Sequence, residues 1–455
     1  MKKFCTYALT ALIASIPVIA QTQTDQPKTI TLDQALAIAF ERNVTVAQAA
    51  NGIDNARAGV ISAYGAYVPR LGINAGFNRL GYSSPPTVRI GFGGIPTPYP
   101  RTDEWNNTYS GSIGLSYTLF DGFNREANFG SAQAGEAQAE QTYDRTRQSI
   151  ADAVSSQYLF VLQNEQQVKV YQENLNNEKN RLDRITEQNR LGAVAIGDVY
   201  RQQSVVAQAE YNFISGQNQY DKSKADLLNL LALNVNQEYV IADPAIAAQI
   251  KQVETDPGVQ ALGSFDELLK RALVARPDYK NSEENVNLAD FGITQAWSSY
   301  YPNLNVNAGY ATNAQTWDVA SKWSNHSTSI GLNLSWQLPE IFGAIQRIQT
   351  ANISKKNAVL QLQQKERDIS VELKKALLDL EAARKQYVAS QKSQIAAEQD
   401  RKTAEAKYNL GSGTLLDLQV ANTTFLNAQL TTLFNAYNFI SLKKNLDLVL
   451  GEKKY

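Results

Sequence analysis

The sequence predicts an α+β membrane protein in which each chain contributes four β-strands and several very long helices. Three observations predict this fold. The phrase YVPRLGINAGFN at residues 67–78 returns as YYPNLNVNAGYA at residues 300–311, which is 300 − 67 = 233 positions later. Each phrase contains a first stretch of alternating apolar residues, and a second such stretch follows it. A long segment without proline then follows each pair of stretches. Because solenoid modules repeat about every 20 to 50 residues, this spacing indicates an internal duplication of a whole structural unit.

The N-terminus and the overall charge suggest an exported protein. The opening MKKFCTYALTALIASIPVIA has a positive start, an apolar middle and a small-residue end, so residues 1–20 are predicted to be a secretory signal peptide. The only cysteine, Cys5, lies too early in this peptide to carry a lipid. We therefore expect that the mature protein has no disulfide and is not a lipoprotein. The formal net charge of −1 gives no basic surplus, and no nucleic acid partner is expected.

The residue types that carry out catalysis are scarce. The sequence holds one histidine, His326, and no cysteine beyond the predicted signal peptide. The glycine-rich GFGGIP at 91–96 lies between two predicted strands, whereas a phosphate-binding loop joins a strand to a helix. We therefore predict that the protein is not an enzyme and needs no cofactor or metal.

The duplication divides the mature chain into two structural repeats, residues 21–233 and 264–455, joined by a linker at 234–263. Each repeat starts with short helices that break at Asn43 and, in the second copy, at Pro277. The predicted strands lie at about 70–80, 108–120, 303–312 and 327–338, and the predicted long helices at about 123–189, 198–232, 342–408 and 416–450.

The strand pattern places apolar residues on one face of a sheet. Leu71, Ile73, Ala75 and Phe77 alternate with glycine and asparagine, and the second copy repeats the alternation. The residues between the strands, 85–107 and 312–325, are predicted to be loops, and aromatic residues gather near the strand ends: Trp105, Tyr109, Trp317 and Trp323. The pattern fits a transmembrane barrel strand, and a half-exposed hairpin of a soluble sandwich fits it equally well.

The long helices favour the barrel. Ile369, Leu373, Ala376 and Leu380 step by four and three residues, which is the seam spacing of a coiled coil. A helix of roughly 65 residues at about 1.5 Å each is close to 100 Å long, and its polar composition excludes a lipid environment. These segments predict a solvated coiled-coil projection in which each helix is flanked by others.

Four strands cannot form an open sheet in a membrane, because every unpaired edge group in hydrocarbon costs several kcal/mol. Bacterial barrels close with at least about eight strands. Two chains supply eight strands and three chains supply twelve. The number of long helices needed for a wide cylinder favours a trimer, so the fold class predicted is a trimeric 12-stranded β-barrel.

These motifs, in this order and duplicated, resemble the outer-membrane efflux proteins of the TolC-like family. The likeness covers essentially the whole mature chain and rests on PRLGINAGF, PNLNVNAGY, YTLFDGFNR and the turns RLGAVAIGDV and YNLGSGTLLDL. It implies a homotrimer in outer-membrane lipid whose barrel is continuous with a long periplasmic α-helical barrel. It also implies an exit duct of a tripartite efflux pump or type I secretion system. Such a duct docks a periplasmic adaptor and, through it, an inner-membrane transporter of RND, ABC or MFS type.

The resemblance also implies a periplasmic entrance at the helical tips. Asp198 matches a carboxylate that accepts a bond from the inner helix pair, Tyr408 matches a tyrosine that links toward it, and Asp417 matches a ring at the constriction. Gly413 and Val420 stand where the best-known pattern has an arginine and a second carboxylate, so a thinner closing network is expected.

Other roles remain open on the residues alone. Asp198 and Asp417 each follow a turn and precede a helix, as a helix N-cap does. Leu191 with Gly192 and Leu410 with Gly411 are predicted to make the tip turns, with the leucines as adaptor contacts. The alternative functions are a passive outer-membrane porin, which would not need the helices, and a structural coiled-coil envelope protein, which would not need the strands.

Overall fold

The structure, a computed structural model, describes residues 28–253, 262–322, 325–336 and 341–452. Several sequence predictions fall outside these residues. They are the signal peptide with Cys5, part of the linker, Trp323 and the last two residues of the fourth strand.

The first repeat contains one strand pair with long strands and two long helices. Its elements are β1 (Lys28–Ile30), α1 (Leu32–Arg42), α2 (Val44–Tyr64), β2 (Arg70–Ser84), β3 (Thr87–Ile90), β4 (Pro96–Tyr99), β5 (Thr102–Phe120), α3 (Asn124–Arg190) and α4 (Ile196–Leu230). The linker adds β6 (Tyr239–Ile241) and α5 (Pro244–Gln252).

The second repeat has the same order of main elements. It comprises α6 (Phe265–Ala275), α7 (Pro277–Ser298), β7 (Asn303–Ala314), α8 (Trp317–Ala320), β8 (Ser327–Ser335), α9 (Ile341–Asn409) and α10 (Leu415–Val449). The helices α3 and α9 have 67 and 69 residues, which at about 1.5 Å per residue makes each about 100 Å long. Within the described ranges, no helix combines the length and apolar character that a membrane span requires.

The four long strands form one antiparallel sheet in the order β2-β5-β7-β8. Its register aligns Ile73 with Ile113 and Ile113 with Tyr310, so these three side chains share a face. The neighbouring row, Gly72, Gly114 and Gly309, lies on the opposite face. Along each strand the side chains alternate between an apolar face and a face of small or polar residues. The outer edges of β2 and β8 have no partner strand among the described residues.

The predicted loop 85–107 is wrong for most of its length. The strand β2 extends to Ser84, and β5 begins at Thr102. The hairpin of β3 and β4 accounts for much of the segment between them. Gly93 and Gly94 have φ of 114° and 80°, which a tight turn uses and other residues avoid. The prolines in this segment suggested a loop, but a two-stranded ribbon tolerates proline because each strand has a free edge. The second predicted loop, 312–325, likewise holds the end of β7 and the single turn of α8.

A core surrounds the middle of the long helices, where the short helices and the linker pack on them. The strands β1 and β6 pair in parallel there, and the buried Tyr158 hydroxyl of α3 donates to the Ile30 carbonyl at 2.8 Å. The core draws on both repeats, with fully buried members that include Leu227, Leu268, Leu373 and Phe439.

The two repeats share equivalent contacts at their first and last helices. Thr31 with Gln34 and Ser264 with Glu267 form the same capping box at the start of α1 and α6. At the end of each repeat, a side chain from the first helix break binds the last helix. Asn43 Nδ2 donates to the Leu230 carbonyl at 3.2 Å, and Arg276 Nη1 donates to the Val449 carbonyl at 3.1 Å.

Candidate functional site at the helical tips

Two tight turns form the far ends of the long helices. At the first turn, Gly192 has φ of 75°, and the N–H of Ala193 donates to the Gln188 carbonyl at 2.8 Å. At the second turn, Gly411 has φ of 73°, and the N–H of Ser412 donates to the Lys407 carbonyl at 2.9 Å. This pattern of a left-handed glycine and a hydrogen bond back to the last turn is a Schellman motif. The structure therefore places glycine where each chain reversal requires it.

The leucines before these glycines point into solvent. Leu191 is 67% exposed and Leu410 is 83% exposed in the single chain. Leu191 follows the end of α3 and Leu410 follows the end of α9, the two helices that are about 100 Å long.

Asp417 takes part in the cap of α10 as its third residue. The Thr414 hydroxyl donates to Asp417 Oδ2 at 2.7 Å, and the Thr414 N–H donates to the same oxygen at 3.1 Å. In return the N–H of Asp417 donates to Thr414 Oγ1 at 3.1 Å, which completes a capping box. The hydrogen bonds from the Thr414 side chain and backbone lower the pKa of Asp417, so its exposed carboxylate is ionised at neutral pH. The N-cap is thus Thr414, and the alternative that Asp417 is itself the N-cap is wrong.

Asp198 occupies the same third position of α4, whose N-cap is Ala195. Its carboxylate accepts from Arg201 Nη1 at 2.9 Å, one turn further along the same helix. Within the described residues, no hydrogen bond joins Asp198 to Tyr408. The ring of Tyr408 packs against the small buried cluster of Ile185, Val199 and Leu415. Burial and, second, the nearby negative charge of Asp198 raise the pKa of Tyr408.

A buried polar group behind the tips was missed by the sequence analysis. Gln202 and Glu178 are 0% and 3% exposed, and Gln202 Nε2 donates to Glu178 Oε2 at 2.7 Å. The sequence spacing could have indicated this group, because Gln202 lies in register with Val199, Ala209 and Gly216 at seam spacings along α4. All four residues are buried in the structure. A polar residue on such a seam is costly unless it is bonded, and it therefore marks a specific contact.

Nothing in the described part of the chain gathers three or more residues of the types that bind a metal ion. His326 stacks on the ring of Tyr310 in the sheet, with ring centres 5.0 Å apart.

A four-stranded sheet with one apolar face, joined to two helices about 100 Å long that each pair with a shorter helix, defines a class of membrane channel with a helical extension. Residues 35–233 and 268–452 match the family described as outer membrane efflux protein. The match covers most of both repeats, so the chain belongs to the outer membrane efflux protein family.

Curated and solved relatives agree with this assignment. The chain is 22% identical over 357 residues to the outer membrane protein TolC of Salmonella enteritidis, a match that spans 76% of this chain and 70% of TolC. The outer membrane channel CmeC of Campylobacter jejuni superposes with a TM-score of 0.75 at 16% identity, over 92% of this chain and 85% of CmeC. The outer membrane protein VceC of Vibrio cholerae gives a TM-score of 0.75 at 17% identity, over 92% of this chain and 96% of VceC.

The family fixes the location and the broad class of activity. The protein is an outer-membrane efflux channel protein with a periplasmic extension, and the family and its solved relatives are channels and not enzymes. The predicted family, the predicted location and the prediction that the protein is not an enzyme are confirmed.

Proposed function

We propose that three chains form the exit duct of a tripartite efflux pump or type I secretion system. The observation that carries this proposal is that the described part of one chain holds two helix pairs with turned tips and a four-stranded sheet whose two long outer edges have no partner strand there. Three such sheets joined edge to edge make a twelve-stranded barrel in outer-membrane lipid. The six helix pairs of three chains then continue the barrel through the periplasm.

The tips form the periplasmic entrance of this duct. Three Asp417 carboxylates, one per chain, ring the constriction and favour cations there, because crowded like charges attract counterions. The negative charge of Asp198 on α4 contributes to the raised pKa of Tyr408 on α9, which supports a link between the two helix pairs at this point. An opening of the entrance separates the helix pairs that carry these residues.

The partners follow from the same geometry. Leu191 and Leu410 are exposed at the ends of the helices, and they form apolar contacts with a periplasmic adaptor. The adaptor links the duct to an inner-membrane transporter of RND, ABC or MFS type, and the transporter supplies the energy for export.

A gene deletion tests the proposed function. Loss of an exit duct makes cells sensitive to toxic compounds or abolishes secretion of a protein. The intact gene should restore the resistance or the secretion that was lost. The matched control is complementation with a chain in which both Leu191 and Leu410 are changed to Asp. This chain keeps the barrel but loses the proposed adaptor contact, so it must fail to restore export. Deletion of a passive porin would cause neither defect, and that result would contradict the proposal. Restored export with the double variant would show that the two leucines do not form the adaptor contact.

A further inference from the structure

A single buried side chain joins three helices just behind the tips. Gln202, in the second turn of α4, donates from Nε2 to both the Oε2 and the backbone carbonyl of Glu178 in α3, at 2.7 and 3.2 Å. Its Oε1 accepts from Gln419 Nε2 in the second turn of α10 at 3.2 Å. The last bond connects the α3–α4 pair directly to the α9–α10 pair.

The orientation of the Gln202 amide is fixed by charge. Arg181 Nη1 donates to both carboxylate oxygens of Glu178 at 2.8 and 2.7 Å, and Arg181 and Glu178 are 5% and 3% exposed. A buried carboxylate in this setting takes donors only, so the NH2 end of Gln202 must face Glu178. The carbonyl end is thereby left to face α10, where Gln419 supplies the donor. Glu178 and Arg181 act as positioning residues for Gln202.

The surrounding contact between the two helix pairs is weak. A polar groove of about 500 Å³ lies between α3 and the α9–α10 pair, and Glu178, the partner of Gln202, is part of its lining. Three buried donor atoms in this groove have no hydrogen-bond partner in the structure: Arg181 Nε, Arg401 Nε and Asn422 Nδ2. Buried apolar contact at this level comes from the small cluster of Ile185, Val199 and Leu415 and from Leu418 and Ala421 of α10. By contrast, the core around the middle of the helices is large. The helix pairs are therefore held firmly at the middle and lightly at the tips.

We propose that Gln202 and Gln419 form a latch that holds the α9–α10 pair against the α3–α4 pair and so keeps the entrance closed. The inference rests on the proposed function, because it needs a channel with an entrance at the tips. When the α9–α10 pair moves, the bond between the glutamines breaks. Gln202 stays with Glu178 on the α3–α4 pair, so the latch can re-form without repacking a charged group.

The direct test is Gln419→Leu in planar lipid bilayers. Gln419 is only half-buried, so leucine fits without burying a new polar group. Losing one neutral hydrogen bond per chain should raise the open probability at least about fivefold. The matched control is Gln208→Leu, because Gln208 is an exposed glutamine of α4 that bonds Asn212 within its own helix. Circular dichroism and the molar mass in detergent show that each variant is folded and assembled.

A second variant, Gln202→Leu, tests the latch from its other side. It removes the acceptor for Gln419 Nε2, so the bond between the helix pairs is lost, while Arg181 still pairs with Glu178. The open probability should rise as it does in Gln419→Leu. The double variant should open no further than either single variant, because both changes remove the same bond. A merely structural role for either glutamine would instead give effects that add.

The outcomes distinguish the latch from the function on which it rests. Higher open probability in Gln419→Leu, with Gln208→Leu unchanged, supports the latch. Wild-type open probability in both Gln419→Leu and Gln202→Leu overturns the latch and leaves the channel intact. If the folded wild-type protein conducts no ions, the proposed function fails instead.

Discussion

At the scale of single residues, Asp417 combines two roles that one experiment can separate. Changing Asp417 to Ala should reduce cation selectivity and lessen block by divalent cations on the periplasmic side, because the ring of charge is removed. Reversal potentials in planar bilayers measure the selectivity. The matched control is Thr414→Ala, which removes the cap but keeps the carboxylate, and it should stay cation-selective. Unchanged selectivity in Asp417→Ala would leave this residue with a capping role alone.

A buried ionic network fixes the break between α6 and α7. Arg276 is 1% exposed and binds Asp278 through two hydrogen bonds, from Nε at 3.0 Å and from Nη2 at 2.8 Å. Arg276 also pairs with Glu372 of α9 at 2.9 Å, and Lys365 of α9 pairs with Asp278 at 2.8 Å. Burial alone would raise the pKa of Asp278, but the bonds from Arg276 and Lys365 outweigh it and hold the pKa well below its usual range.

Asp278→Asn should destabilise the protein by about 3 kcal/mol at neutral pH, because it leaves two cations with too little countercharge at a buried site. The pKa of Asp278 is lower in the folded state than in the unfolded state. Its stabilising contribution is therefore complete above the unfolded pKa of about 3.9 and is lost as the pH falls toward the folded value. The gap between wild type and variant should accordingly narrow below about pH 4. Thermal unfolding followed by circular dichroism across this pH range measures the gap.

The control for this prediction lies on the same two helices. Asp290 of α7 pairs with Lys355 of α9, but both side chains are substantially exposed. Asp290→Asn should therefore cost about 1 kcal/mol or less. Equal losses in the two variants would show that burial does not strengthen the Arg276 network.

The tip residues show how far residue-level prediction can go. The turns at Gly192 and Gly411 were predictable because a left-handed position selects glycine locally. The bond from Arg201 to Asp198 could also be predicted, because the two residues are one turn apart on α4. The environment of Tyr408 could not, because it depends on Ile185, Val199 and Leu415 of three other helices. Gln202 was missed for the same reason, since its partners Glu178 and Gln419 lie on two other helices.

At the scale of elements, long periodic segments were predictable and short paired ones were not. The period-two and seam patterns extend over many residues, and they place the four long strands and the four long helices within about six residues of their observed bounds, the largest difference being at the start of β5. In contrast, β1 has three residues and pairs with β6, which lies more than 200 positions away. So short a segment carries no period of its own, and its pairing is decided by a distant partner.

The corner between β5 and α3 is the element whose geometry is most constrained. Gly122 has φ of 69°, and a Cβ added there would lie 2.6 Å from the Ser298 carbonyl oxygen. Gly122→Ala should therefore lower the stability by about 2 to 4 kcal/mol, from the left-handed backbone and the overlap together. The matched control is Gly135→Ala in α3, where no atom lies within 4 Å of the added Cβ. It should raise helix stability by up to about 1 kcal/mol. Similar thermal midpoints for the two variants would contradict the constraint at this corner.

At the scale of the whole molecule, one chain is incomplete as a membrane structure. The outer edges of β2 and β8 are free in the described chain, over 15 and nine residues. Apolar side chains such as Ile73, Ile330 and Leu332 are 71%, 83% and 65% exposed on the sheet face. Sequence periodicity predicted this face, but no pattern in one chain states how many copies close the sheet, because the closing contacts lie between chains.

Closure should therefore require three copies. We expect the mature protein in mild detergent to have a molar mass near three chains by light scattering, after subtraction of the bound detergent. Twelve strands satisfy every edge, whereas each unpaired backbone group left in hydrocarbon would cost several kcal/mol. A mass near two chains would mean an eight-stranded barrel, whose interior is filled by side chains and leaves no duct. A folded monomer would mean that the edges of β2 and β8 are covered within one chain. The barrel of three chains, and with it the proposed exit duct, would then not form. The control is a chain with a proline in place of Ile330 in β8. Proline costs a strand that is paired on both sides one ladder hydrogen bond, so the change should shift the mass from three chains toward one.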